Sequence, residues 1–300
     1  MTENKLISGF SRLSKDQKIS LVASGSANPE ATASVLKSFW NDDPAIQKLF
    51  DEFSENTLTN YYFPYGIAPN VLINGKMYMV PMVIEESSVI AAASNSAKYW
   101  ASRGGFHSEV ISTVKIGQVH FIWDGEFDLL KKHFPQLRLL LLSRTGIITA
   151  NMESRGGGVL DMELVDMTAE LAGYYQLKVK FDTRDSMGAN FINSCLEEYA
   201  TGLREFVNES GFFTEGNLNI IMSILSNYTP ECLVKTWIEC DLQELDDIDG
   251  SMNGDAFAWK FEKAVQIANI DVHRAATHNK GIFNGIDSVA LATGNDFRAL

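Results

Sequence analysis

Apolar and polar positions alternate most cleanly from Tyr174 to Thr183. There Leu177, Val179 and Phe181 fall on one side of an extended chain, and Lys178, Lys180 and Asp182 on the other. A period of two with one apolar side predicts a strand with one buried and one wet face, which favours an antiparallel sheet over a doubly wound parallel one. Val110 to Trp123 is rich in β-branched and aromatic residues and predicts a second strand; Val159 to Met167 and Asn217 to Leu225 predict two more. Between them Glu126 to His133 has a helical pattern, Pro135 interrupts it, and Leu137 to Met152 resumes it. Gly156-Gly157-Gly158 is a turn, and Met187 to Val207 predicts a long helix.

Placed in order, these elements read β-α-β-β-α-β, the split-βαβ or ferredoxin-like arrangement. The predicted fold is therefore α+β. A small ferredoxin-like domain at residues 108–226 is inserted into a larger, mainly helical domain made of residues 1–107 and 227–300. In the larger part, Lys15 to Ala23 and Ala31 to Asn41 predict short polar helices, and residues 61–82 are strand-like. Ser87 or Ser88 is positioned to cap an Ala-rich helix that Arg103-Gly104-Gly105 stops. Residues 233–255 are an acidic strand-and-turn region, Ala256 to Ala268 predicts a helix, and His273 to Leu300 is dense in polar groups and glycines.

Composition narrows the function. The chain has 300 residues, 45% hydrophobic and 21% charged, enough apolar content for a substantial core and too much for a disordered tail. Its 38 acidic residues outnumber 25 basic ones, giving a formal charge of −13. That argues against a nucleic-acid binder, which needs clustered positive charge. No apolar run approaches the ~18 residues that cross a bilayer, so no membrane partner is expected. Met1 to Lys5 lacks an apolar signal core. Cys195, Cys232 and Cys240 form no CxxC, and His273 and His278 have no nearby cysteine or carboxylate cluster, so no metal site is assigned. The expected compartment is the cytoplasm.

Four segments are candidates for chemistry. Asp185-Ser186-Met187-Gly188-Ala189-Asn190 lies at a strand-to-helix junction, where free N–H groups and a residue without Cβ suit an anionic ligand. It is not GxGxxG, and an Asp N-cap with a packing glycine is the plainer reading. Arg274 to Asp287 sets Lys280 among asparagine and aspartate side chains, where an ammonium polarises a carbonyl; a solvated lysine is the plainer alternative. Thr293-Gly294-Asn295-Asp296 reads as a helix cap, and Glu85-Glu86 as favourable charge on a helix dipole. The acidic turn Asp246 to Asp255 is not a calcium loop, because counting from Asp249 puts Lys260 where a bidentate glutamate is required.

Taken together, these motifs resemble hydroxymethylglutaryl-CoA reductase of the bacterial type, class II. The resemblance runs in order through Glu55-Asn56, Phe63 to Ala68, Ile73 to Lys76, Val80-Pro81-Met82, Glu85 to Ser88, Ala91 to Ser94, Asp185 to Asn190, Arg274 to Asp287 and Ala292 to Asp296. It implies a four-electron reduction of a thioester to mevalonate and free CoA with two nicotinamide hydrides, or the reverse. It also implies roles. Lys280 would stand over the thioester and aldehyde oxygen, Asp296 would tune that lysine, and Glu86 would exchange a proton with the carbonyl oxygen. Ser88 and Arg274 would hold the hydroxymethylglutaryl carboxylate, with Asn284 in the substrate loop. Asp185, Met187, Gly188 and Asn190, and more loosely Asn227, would bind the cofactor. A homodimer or higher homo-oligomer is implied. The reading expects the Lys280 ammonium to be buried beside Glu86 and Asp296.

Two small departures are Ser87 for the family's proline and Ser186 for its alanine. A larger one is that no histidine follows His278, whereas the family carries a catalytic histidine on a mobile C-terminal segment. The sequence thus leads us to expect a fragment, or an enzyme without its flap, that releases CoA inefficiently and folds poorly by itself. NADPH is favoured slightly over NADH, because Lys132 to Met152 holds Arg138 and Arg144 and no carboxylate. The alternatives are a catalytically defective relative that binds CoA thioesters or nucleotides, and a structural protein that merely keeps the fold.

Overall fold

The computed structural model describes residues 6–246 and 252–300. Met1 to Lys5, and residues 247–251 of the acidic turn, lie outside the described residues. The chain divides into two compact units, one of residues 1–66 with 83–87 and one of residues 67–82 with 88–300.

The smaller unit holds three helices: α1 (Lys15–Ala23), α2 (Pro29–Ser38) and α3 (Pro44–Asp51). Each starts where capping chemistry says it should. Ser14 and Gln17 form a reciprocal capping box on α1, while Asn28 and Asp43 cap α2 and α3, each followed by proline in the first helical turn. Ile19 and Ala23 are its buried apolar residues among those described. Much of its interior is polar: buried Asn60 donates to Gln47 Oε1 at 2.8 Å and to the Phe39 carbonyl at 2.9 Å.

The larger unit opens with β1 (Tyr65–Ile73) and β2 (Lys76–Val83), whose outer ends belong to the smaller one. The strand-like stretch 61–82 is thus a hairpin, folded at Asn74-Gly75, where φ is 49° and 78°. A two-residue turn with positive φ at both positions matches the twist of the flanking strands, and Asn-Gly is its strongest sequence signal. Helix α4 (Val89–Ala101) follows the expected Ala-rich run. Ser88 occupies its N-cap position but does not cap it. Its φ of 73° is left-handed, whereas a capping serine needs an extended backbone to bring its hydroxyl to the first N–H groups.

Strand β3 (His107–Trp123) is the axis of the sheet. Next come α5 (Phe127–Arg144), α6 (Gly146–Glu153), β4 (Gly158–Asp166), β5 (Tyr174–Asp182), α7 (Ala189–Glu209), β6 (Leu218–Leu225) and β7 (Cys232–Trp237). The strands are ordered β4-β5-β3-β6, with β7 pairing the first half of β3, and every pairing is antiparallel. Pro135 does not interrupt the helix as the sequence suggests; α5 runs through it. Leu130, Leu137 and Leu141 are fully buried on either side, and their packing outweighs the lost N–H and the ring clash.

The core lies between the sheet and these helices. Leu177, Val179 and Phe181 are fully buried, as the alternation predicts, against Val119, Phe121 and Trp123 of β3. On α7 the buried positions Ile192, Cys195, Leu196, Tyr199, Leu203 and Phe206 repeat at helical spacing. Gly117 lets α7 come close to β3, since a Cβ there would lie 2.6 Å from Leu196 Cδ1. The chain ends in α8 (Gly254–Ile270) and α9 (Val272–Ala292). The glycine-rich stretch 274–287 is therefore helical throughout: Gly281 and Gly285 sit inside α9, with no close neighbour for a Cβ at either.

Candidate active site

A cavity of about 340 Å³ in the larger unit lies where α7 begins beside the chain's last residues. Its wall includes Lys115, Met187, Ala189, Ile192, Asn227 and Asp296. Two of the sequence-derived groups thus converge: the Asp185–Asn190 segment, through Met187 and Ala189, and the Asp296 cap. Asn227, the loosest assignment, joins them.

Helix α7 does not begin with an aspartate cap. Its N-cap is Gly188, at φ 75°, so Asp185 stands outside the helix. The glycine is required twice: a side chain rarely adopts that φ, and a Cβ would lie 2.4 Å from Thr183 Cγ2. No side chain caps the helix, so its first N–H groups are left for another acceptor. The loop before it is fixed by its own hydrogen bonds. Thr183 Oγ1 donates to the Ser186 carbonyl at 2.7 Å, and Ser186 Oγ donates to the Thr183 carbonyl at 2.8 Å.

At the other wall, α9 stops in a Schellman turn. The Asn295 N–H reaches the Ala290 carbonyl at 2.8 Å and the Gly294 N–H reaches Leu291 at 3.2 Å, with Gly294 at φ 70°. That turn delivers Asp296, whose carboxylate forms a two-point ion pair with Arg298, Nε to Oδ1 at 2.8 Å and the terminal nitrogen to Oδ2 at 2.9 Å. The Arg298 side chain, and then its backbone N–H, hold the Asp296 carboxyl below the usual carboxylate range. Arg298 also lines the cavity. Sequence reasoning missed it, and missed Lys115.

Lys280, Asn284 and Arg274 are on α9, with Lys280 and Asn284 one turn apart. The structure does not bury Lys280 as the sequence reading expects; the residue is exposed on α9. Ser88 belongs to the larger unit and Glu86 to the smaller. Arg138 and Arg144, the cations behind the NADPH preference, are both engaged: Arg138 with Asp161 at 3.5 Å, Arg144 with Glu198 at 2.7 Å and with Glu205. Ion pairing within the sheet and helix layer accounts for their position without a phosphate. Among the described residues, no group of three or more His, Cys, Asp and Glu is placed to hold a metal, and no helix is long and apolar enough to cross a membrane.

A cavity at an uncapped helix start, with Lys115 and the Asp296–Arg298 pair in its wall, can take an anionic ligand. Comparison with known proteins places the chain in a family. The family model for hydroxymethylglutaryl-coenzyme A reductase matches residues 16–300. The chain belongs to that family. Among curated relatives, it is 32% identical to the 3-hydroxy-3-methylglutaryl-coenzyme A reductase of Archaeoglobus fulgidus over 98% of its own length and 63% of the relative's. It is 34% identical to a probable reductase of Borreliella burgdorferi, over 83% of this chain and 55% of that one. The chain thus spans rather more than half the length of these curated relatives. Among solved structures, the reductase of Streptococcus pneumoniae is 34% identical with a TM-score of 0.74, covering 97% of this chain and 75% of that chain. A second structure of that class II enzyme, with the same identity, coverage and TM-score, is described as bound to NADPH in open conformations. For this reductase-family chain, the likeness supports the mixed α/β fold with its antiparallel sheets throughout its length.

Proposed function

We propose that this chain carries the hydroxymethylglutaryl-CoA reductase reaction, the NADPH- or NADH-dependent reduction of the thioester to mevalonate and CoA, or its reverse. The observation that carries the reading is the family match over residues 16–300, together with a cavity that joins Met187 and Asn227 to Asp296. The strand order β4-β5-β3-β6, with two helical crossovers, supports reading residues 108–226 as a ferredoxin-like cofactor domain inserted between 1–107 and 227–300. The residues at the cavity suit a nicotinamide dinucleotide: Gly188 lets backbone approach the ligand, and the uncapped amides of α7 suit a diphosphate. NADPH is the better-supported of the two cofactors, through the NADPH-bound pneumococcal relative rather than through Arg138 and Arg144. A cytoplasmic homodimer or higher homo-oligomer is part of the same reading.

When bound, a reduced nicotinamide supplies the hydride for each of the two reductions. The protein has to hold the oxyanion charge that develops and deliver protons to it. We assign Lys280 to the oxyanion, Asp296 to tuning that ammonium, and Glu86 to the proton. Ser88, Arg274 and Asn284 would hold the acyl carboxylate, a task for which a guanidinium fork is suited. Asp185, Met187, Gly188, Asn190 and Asn227 would hold the cofactor. The test is NADPH oxidation followed separately with the thioester and with mevaldehyde. Turnover in either assay is expected, and Lys280→Ala should reduce it at least about 100-fold. Binding of both ligands without oxidation would select the catalytically defective relative instead, and binding of neither would overturn the reading.

A further inference from the structure

Lys115 has a place in β3 that the sheet does not explain. Its neighbours on the helix-facing side, Gly117, Val119, Phe121 and Trp123, are fully buried or nearly so. Lys115 itself is half-buried, paired in register with Phe181, at the end where α7 has not yet begun. There its Nζ meets the segment Thr183–Met187. It donates to Thr183 Oγ1 at 2.9 Å, to the Ser186 carbonyl at 2.8 Å and to the Met187 carbonyl at 3.0 Å. An ammonium has three donors, and all three go to this one five-residue segment. Thr183 is fully buried, and its hydroxyl passes the chain of bonds on to the Ser186 carbonyl.

None of the three acceptors is charged. The ammonium also stands beside the start of α7, where the aligned peptide dipoles leave positive potential and stability alone favours a carboxylate. Lys180, farther along the sheet, shows the ordinary arrangement: its ammonium is paired with Glu231 at 2.6 Å. Lys115 instead keeps its positive charge at the wall of the cavity, next to Met187. The segment it grips is one that needs gripping, since Arg184, at φ 52°, holds left-handed backbone that a side chain rarely adopts.

We propose that Lys115 is a positioning residue for the nicotinamide cofactor: it holds Thr183–Met187 in the shape that presents Asp185 and Met187 to the ligand, and leaves one positive charge beside it. This rests on the proposed reading of Asp185–Asn190 as the cofactor segment.

The test compares the wild-type chain with Lys115→Met, which keeps the stem and loses the donors, and Lys115→Arg, which keeps charge and donors. Dissociation constants for NADPH and, separately, for hydroxymethylglutaryl-CoA are measured by fluorescence or calorimetric titration, with the thermal midpoint as a control. Lys115→Met should weaken NADPH at least about tenfold while leaving the thioester within about twofold, and Lys115→Arg should restore most of the loss. Equal NADPH binding by wild type and Lys115→Met would overturn the inference alone. Equal loss of both ligands, unrepaired by arginine, would also overturn it, because that is the mark of a purely structural lysine. A wild-type chain that binds the thioester but no nicotinamide would overturn the cofactor reading itself and this inference with it.

Discussion

Cys195 and Cys232 carry the same thiol in opposite surroundings. Cys195 is fully buried on α7, and burial, with Glu153 adding to it, pushes its thiol up to about 12; Cys232 is exposed on β7. The thiolate is the reactive form, so an alkylating reagent at neutral pH should label Cys232 and spare Cys195 until denaturant is added, as peptide mass mapping would show. The same shift makes stability fall in alkali. An unfolded thiol loses its proton near about pH 8.5, while the folded one keeps it. Folded and unfolded chains therefore bind equal protons below that pH, and the folded state is progressively disfavoured as pH rises from there towards 12. Urea midpoints at pH 8 and pH 10 should differ less in Cys195→Ala than in the native chain. At this scale the sequence was informative wherever neighbours in the chain are also neighbours in space. Asp185 to Asn190 announced a strand-to-helix junction with an indispensable glycine, although the cap proved to be Gly188 and not Asp185. Lys115 gave no such signal, because its partners lie 68 to 72 positions away and a lone lysine in a β-branched run reads as solvated.

Elements were legible when their periodicity was uninterrupted and obscure when glycine or proline punctuated them. The alternation of β5 located a fully buried face, and α7 was found within two residues at either end. The hairpin at Asn74-Gly75 was overlooked even though the dipeptide is a strong turn signal, because the flanking residues form one long strand-like run. Helix α9 was obscured by Gly281 and Gly285, which local propensity assigns to a loop. Pro135 is the reverse case, a breaker that tertiary packing overrides. It is exposed within α5, so its ring contributes little to the core, while it withholds one N–H from the helix and crowds the preceding turn. Pro135→Ala should accordingly stabilise the protein, by about 1–3 kcal/mol if much of the helix-interior penalty is recovered, offset by the greater freedom of the unfolded alanine chain. A chemical-denaturation midpoint that does not rise would mean that α5 is bent around the ring in a way its neighbours depend on.

Across the whole chain, apolar burial is unevenly divided, and composition could not reveal this. A content of 45% hydrophobic residues promises a large core but does not say where it lies. In the larger unit, Val119, Phe121, Trp123, Leu177, Val179, Phe181, Leu196 and Leu203 are all fully buried between one sheet and its helices. In the smaller unit, Ile19 and Ala23 are the buried apolar residues among those described, and its interior relies on Gln47 and Asn60, which hydrogen-bond each other. Burial of a large aliphatic side chain contributes roughly 1.5–3 kcal/mol, whereas a satisfied polar pair contributes about 1 kcal/mol per hydrogen bond. The two units should therefore open at different free energies. Native-state hydrogen exchange is expected to show amides of α1, α2 and α3 exchanging through low-energy opening, while those of β3, β5 and α7 exchange only near the global limit. Gln47→Leu discriminates between causes. It removes one side-chain partner of buried Asn60, so exchange in α1 to α3 should quicken further while protection in β3 and β5 stays as it was. Equal protection throughout both sets of amides, or a uniform loss in the variant, would show that the chain unfolds as a single cooperative block.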